Sequence, residues 1–174
     1  MAETTRVYLL LGGLFSSDGY VTSPGMLRVR TLVQENIPES VFKTYLWGDF
    51  LECYNDIIAH QADKIVVIGY SGGGHKATWL ANGYYGDPRR YLAKPRIDLM
   101  VLYDPSPNWS MMPIGKNVKR AINYYNETPL MFGLGGGILT GPNVEIVPAS
   151  MQHLAVQASE TLHQKTLEYI KELS

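Results

Sequence analysis

Residues 65–75 read IVVIGYSGGGH. Four consecutive branched aliphatics, Ile65 to Ile68, run into a glycine, and a serine then sits among four glycines spread over six positions. An unbroken aliphatic run is what a strand covered on both faces requires, because a half-solvated strand alternates apolar with polar residues. Gly69-Tyr70-Ser71-Gly72-Gly73 matches the G-x-S-x-G pattern of a nucleophile elbow. In that turn, small residues let the chain swing sharply from strand into helix and expose a hydroxyl. The pentapeptide alone arises by chance, and a plain turn between strand and helix in a Rossmann-like domain reads the same way. The buried strand before it and the helix-forming stretch after it favour a nucleophile at Ser71.

The same apolar signature recurs at residues 6–11, where two glycines stop it, and at residues 97–103. Shorter strand candidates lie at 41–46 and 144–147, and 118–125 reads weakly as a strand from its Val, Ile and paired Tyr. Helix signals fill the gaps. Ser23 as N-cap and Pro24 at the first helical position predict a helix to about Ile37. A second periodicity covers 50–61, and a third helix covers 72–82 with Gly83 closing it. The spacing of Leu154, Ala158, Leu162, Leu167 and Ile170 predicts one long amphipathic helix over 154–173. Strands alternating with helices predict a single α/β domain over residues 1–174, a three-layer sandwich around a mostly parallel sheet of about six strands. Residues 104–116 and 133–143 stay irregular, the first because it carries three prolines.

Composition narrows the function. The 174 residues carry 15 basic and 16 acidic side chains, a formal net charge of −1, which leaves no electrostatic footprint for nucleic acid. No run approaches the roughly 18 apolar residues of a bilayer span. The apolar start lacks a basic leader region and passes straight into Gly12-Gly13, so it reads as the first core strand and not as a signal peptide. Cys53 is the only cysteine, which excludes an internal disulfide and fits a reducing, cytoplasmic setting, although an exported bacterial protein can also carry a single cysteine. The four histidines are dispersed, so neither a metal nor another cofactor is expected. SGGGHKAT at 71–78 resembles a phosphate-binding loop at a glance, but Ala77 stands where that loop needs Ser or Thr.

A serine hydroxyl needs a base, and the base needs a carboxylate to fix its tautomer. His153 follows the 144–147 strand and precedes the last helix, at the sheet edge where the elbow lies; the competing reading is a helix cap. His60 and His163 read as surface or packing residues, and His75 as a histidine of the elbow helix. Asp104 leaves the carboxyl end of the 97–103 strand, where open α/β sheets build their sites, whereas Asp98 sits on the opposite rim and Asp87 reads as a turn residue. Ser71, Asp104, His153 is the chain order of the α/β-hydrolase triad. Gly72 would lend one N–H to the oxyanion, and Leu14 or Phe15, in the glycine-rich loop after the first strand, the other.

GYSGGG after the third strand, LYDPSP after the next and QHLAV before the last helix resemble a small α/β-hydrolase of the lipase/esterase kind. The likeness extends to compact, uncharacterised bacterial and phage-associated hydrolase-like proteins, through the GG-x-FS loop and the segment PIGKNVKRAINYYN. This resemblance implies a minimal hydrolase sheet, with Ser71 as nucleophile, Asp104 as acid and His153 as base. A helical lid has no room in 174 residues. The implied activity is a serine ester hydrolase working through an acyl-enzyme on a small ester or an acylated carbohydrate or peptide. The alternative is an inactive hydrolase-like binding module. Trp109, Met111, Met112, Met131 and Phe132 are pocket candidates by loop position alone, and a homodimer is compatible with the pattern.

Overall fold

A computed structural model describes residues 4–12, 23–84, 86, 91–106, 111–127 and 135–173. Six strands form one sheet: β1 (Thr5–Leu11), β2 (Val41–Leu46), β3 (Lys64–Tyr70), β4 (Leu99–Tyr103), β5 (Ala121–Tyr125) and β6 (Val144–Pro148). Their order is β2-β1-β3-β4-β5-β6, and every neighbouring pair is parallel. The helices are α1 (Pro24–Asn36), α2 (Phe50–Ala59), α3 (Gly72–Asn82), α4 (His153–Val156) and α5 (Glu160–Lys171), with a 3-10 turn at Trp47–Asp49.

The two-residue period of a strand divides each apolar run between two cores. Val7, Leu9 and Leu11 of β1, with Val66, Ile68 and Tyr70 of β3, join Met26, Val29 and Val33 of α1 and Leu162, Leu167 and Ile170 of α5. Tyr8, Leu10, Ile65 and Val67 face the other way, onto Cys53, Tyr54 and Ile57 of α2 and Ala77, Leu80 and Ala81 of α3. The result is the three-layer sandwich that the unbroken aliphatic runs require. Truncating a central side chain such as the fully buried Ile68 to alanine would cost about 2–5 kcal/mol, the transfer loss plus the cavity left behind.

The strand order positions the site. From β1 the chain crosses to β2 on one side, and from β3 it crosses to β4 on the other, so the connections diverge between β1 and β3. Open α/β sheets form their ligand crevice outside the carboxyl ends of the strands at such a point. Gly12 and Ser71 follow those two ends.

Several elements depart from the sequence reading. The last helix is two, and the apolar face expected to run through it does not: Leu154 and Ala158 are exposed, while Leu162, Leu167 and Ile170 are buried. Gln157 to Ser159 turn the chain, and the Ser159 hydroxyl accepts from the Leu162 N–H to start α5. Continuous periodicity hid the break. Ser23 precedes α1, but its hydroxyl caps nothing; it donates to the Gly12 carbonyl at 2.8 Å and so ties the start of α1 to the end of β1. Residues 118–125 become a strand only from Ala121, with Val118 and Ile97 meeting in an isolated bridge before β5 and β4. Among the described residues, no helix is long and apolar enough to cross a membrane.

Candidate active site

Ser71 sits between β3 and α3 with φ 53° and ψ −123°. For a residue with a side chain this left-handed backbone costs on the order of 1–3 kcal/mol, and it persists only where the surroundings over-determine it. They do. The Ser71 N–H donates to the Tyr103 carbonyl at 3.2 Å, and its carbonyl accepts from the N–H groups of His75 and Ser106 at 3.2 and 3.1 Å. The neighbouring glycines answer to contact. A Cβ on Gly69 would lie 2.7 Å from Gly74 Cα, and one on Gly73 only 2.1 Å from the Leu10 carbonyl oxygen. Gly74, which the motif leaves unexplained, faces Pro105: its Cβ would meet the proline ring at 2.8 Å. Glycine at these positions lets α3 lie directly on β1 and β3.

The first strand closes in from the other side. A Cβ on Gly12 would stand 2.5 Å from the Tyr70 carbonyl oxygen and 2.7 Å from Ser71 Cβ. The loop after β1 therefore begins in contact with the nucleophile turn. Leu14 and Phe15, the expected second oxyanion donors, lie outside the described residues. Gly72 is the first residue of α3, where backbone N–H groups have no partner within the helix and the helix dipole favours negative charge.

Asp104 and His153 complete the arrangement. His153 Nε2 lies 3.0 Å from Ser71 Oγ, and its Nδ1 lies 2.6 Å from Asp104 Oδ2. All three side chains are buried. Asp104 also has positive φ, 41°, and its N–H donates to the Tyr124 carbonyl at 2.7 Å. Its second oxygen, Oδ1, accepts from the backbone N–H groups of Asn126 and Gly136 at 2.9 and 2.6 Å. With Oδ1 held, Oδ2 is aimed at the imidazole, which fixes the tautomer with a proton on Nδ1 and a free lone pair on Nε2 facing the serine.

Three contributors were not legible beforehand. The ring of Tyr70 stacks on that of His153, centroids 4.9 Å apart and 23° from parallel, and its hydroxyl donates to the His153 carbonyl at 3.4 Å. Burial, and after it the Asp104 charge, push the Tyr70 phenol up, so it stays a donor. The Ser106 hydroxyl lies 3.2 Å from Ser71 Oγ. Gly135, at φ 79°, leaves room for the acid–base pair: a Cβ there would fall 2.0 Å from Asp104 Oδ2 and 2.6 Å from His153 Nδ1. The only sequence signal for Gly135 and Gly136 was the length of the irregular loop that carries them.

The other candidates fall elsewhere. Asp98 is on the opposite rim, where it accepts from the Ile65 N–H and pairs with Lys119 and Arg96. His60 ends α2 beside Asp56, half-exposed. His163 is buried, 2.7 Å from the Gln157 carbonyl oxygen. His75 packs edge-on against Trp79. Of the pocket candidates, Met111 reaches the Pro105–Gly137 contact and packs on the core between the sheet and α3. Met112 donates its N–H to Thr78 Oγ1 at 3.3 Å. Trp109, Met131, Phe132 and the turn residue Asp87 lie outside the described residues. Among the described residues, no group of three His, Cys, Asp or Glu side chains is placed to hold a metal ion.

The sequence matches no protein-family profile and no curated protein sequence. Solved structures do match. The catalytic core domain of an acetyl xylan esterase from Trichoderma reesei is 13% identical at a TM-score of 0.60, over 98% of each chain. Esterase 2 of Thermogutta terrifontis, in its form phosphonylated by sarin, is 15% identical at 0.59, over 98% of this chain and 83% of that one. A gene product of Listeria innocua is 10% identical at 0.59, over 95% of this chain and 92% of that one. At such identities the likeness speaks for the fold, and the fold is a minimal α/β-hydrolase. The chemistry is read from the site itself, whose three side chains stand in the arrangement of a serine hydrolase.

Proposed function

We propose that the protein is a serine carboxylic-ester hydrolase, with Ser71 as nucleophile, His153 as general base and acid, and Asp104 as the carboxylate that orients the base. One observation carries the reading: a buried imidazole bridges Ser71 Oγ at 3.0 Å and Asp104 Oδ2 at 2.6 Å, and a carboxylate on Nδ1 selects the tautomer that can take the serine proton. His153 Nε2 removes that proton as Oγ attacks the carbonyl carbon. Negative charge then grows on the former carbonyl oxygen, beside the Gly72 N–H and the start of α3. As the tetrahedral species collapses, the proton passes from Nε2 to the leaving alcohol and an acyl-serine remains. Water enters, His153 takes its proton, and the second collapse returns Ser71 and releases the acid.

Small esters, including acyl groups carried on carbohydrate, are the substrates this reading favours. The acetyl xylan esterase among the structural relatives supports that choice, since its fold is shared over almost the full length of both chains. The test is a fluorophosphonate probe together with a panel of p-nitrophenyl esters and acetylated sugars. Labelling at Ser71 that vanishes in Ser71→Ala, with turnover of at least one ester, is the expected result. Folded wild-type protein that neither labels nor hydrolyses any ester would reduce the molecule to a binding module.

A further inference from the structure

Of the eleven residues of α3, eight are buried; Gly72, Lys76 and Trp79 stay partly open. Their spacing places them on one stripe of the helix, which starts beside the nucleophile. Across from Gly72 stands Trp47, whose Cγ lies 4.0 Å from where a Gly72 Cβ would be, and which is 40% exposed. Lys76 Nζ is 3.4 Å from the centroid of the Trp79 ring, 4.9 Å from that of Phe50 and 5.9 Å from that of Trp47. Phe50 and Trp79 meet edge to face at 5.9 Å.

No carboxylate among the described residues pairs with this ammonium. Asp49 and Glu52, carried by the same turn and the helix it opens, form no ion pair with it. Ring faces attract a cation, but they supply no acceptor for its N–H groups. Burial pushes the Lys76 ammonium below its ordinary range.

We infer that Lys76, backed by Trp47, Phe50 and Trp79, is a substrate subsite for a carboxylate, so that the preferred substrates are esters bearing a second, ionised carboxyl group. The inference rests on the serine-esterase reading above. The aromatic rings give the apolar body of the substrate a flat wall, and the ammonium supplies charge-assisted hydrogen bonds that a neutral ester cannot use. Trp47 brings the wall up to Gly72, the residue after Ser71, so a substrate held on it lies beside the nucleophile turn.

Two matched pairs of esters test this and separate the two halves of the substrate. 4-Acetoxybenzoate against its methyl ester places the carboxylate on the leaving group; monophenyl succinate against phenyl butyrate places it on the acyl group. The quantity read is the kcat/KM ratio of charged to neutral member, in wild type, Lys76→Met and Lys76→Arg. In at least one pair the wild-type ratio should fall about tenfold or more in Lys76→Met, while Lys76→Arg keeps most of it. Added salt should erode the wild-type ratio and leave that of Lys76→Met unmoved. Ratios unchanged by Lys76→Met in both pairs, in protein that hydrolyses the neutral esters, would overturn the carboxylate subsite and leave the esterase reading standing. Wild type that turns over none of the four esters and fails to label at Ser71 would overturn both.

Discussion

The ring of Tyr70 lies 4.9 Å from that of His153 and only 23° from parallel to it, so the residue before the nucleophile is also the shelf on which the base rests. Two sites 83 residues apart in the chain are thereby fixed against each other. Tyr70→Phe keeps the shelf and loses only the long hydrogen bond to the His153 carbonyl. Its kcat on p-nitrophenyl acetate should stay within about threefold of wild type. Tyr70→Leu keeps apolar volume but not the flat face, and a base misplaced by about 1 Å costs on the order of 100-fold in rate. A fall of about 10–100-fold in kcat with little change in KM is expected for Tyr70→Leu. Equal rates for Tyr70→Leu and wild type would show that the stack orients nothing.

Gly135 offers a sharper perturbation. A methyl group there would fall 2.0 Å from Asp104 Oδ2, and the backbone at φ 79° disfavours any side chain. Gly135→Ala should lower kcat/KM by about 100-fold or more by displacing the acid from the base. Gly48, where a Cβ would meet nothing within 4 Å, is the matched control, and Gly48→Ala should leave the rate unchanged. Steady-state kinetics of the two variants, with circular dichroism to confirm folding, decides the matter.

Gly135 and its neighbour Gly136 mark the limit of what the sequence carries. Ser71 and Asp104 were legible because each stands at the end of an apolar run, and run length reports burial on both faces of a parallel sheet; His153 follows a short, partly exposed edge strand and was placed only by lying between that strand and the last helix. Gly135 and Gly136 follow no run; their role depends on where a loop lands, which only tertiary packing sets. The segment at residues 113–126 has no role that composition or spacing reveals. Folded, it supplies β5, the Asn126 N–H that holds Asp104, and an Asn117 amide that donates to the Ala81 and Pro95 carbonyls. The break before α5 leaves no mark in the apolar pattern, because Ala158 and Leu162 keep helical spacing across it and spacing is blind to a turn that preserves it.

Ser106 adds a second hydroxyl at the reacting oxygen, 3.2 Å from Ser71 Oγ and held there by its own N–H on the Ser71 carbonyl. By sharing a hydrogen bond with Ser71 Oγ it holds that atom in the orientation that faces His153. One neutral hydrogen bond contributes about 0.5–1.5 kcal/mol, so Ser106→Ala should slow fluorophosphonate labelling about 2–10-fold. Ser106→Thr, which keeps the hydroxyl, should restore most of the rate. Labelling of Ser106→Ala at the wild-type rate would remove the residue from the site's chemistry.

His163 supplies a pH dependence whose direction follows from its surroundings. Its Nε2 donates to the Gln157 carbonyl at 2.7 Å, at the turn that joins α4, which carries His153, to α5. A Cβ on Gly25 of α1 would lie 2.3 Å from that same oxygen, so the turn is packed from both sides. Burial pushes the imidazole below its ordinary range; the hydrogen bond to Gln157 and the Glu160 charge oppose this, and Arg28 reinforces it. The unfolded chain therefore binds a proton at His163 at a pH where the folded chain does not. Stability must fall as the pH drops below about 6.5 and continues to fall until the folded state also binds the proton. Asp98 acts in a separate window. Burial opposes its ionisation, but hydrogen bonds from Lys119 and the Ile65 N–H, with Arg96 nearby, hold it below the usual carboxylate range, so its contribution is lost only below about pH 4. Between pH 7 and 5 the melting temperature of wild type should therefore fall more steeply than that of His163→Gln, whose amide can still donate to Gln157. Parallel melting curves for the two proteins across that range would show that His163 takes up its proton equally in both states.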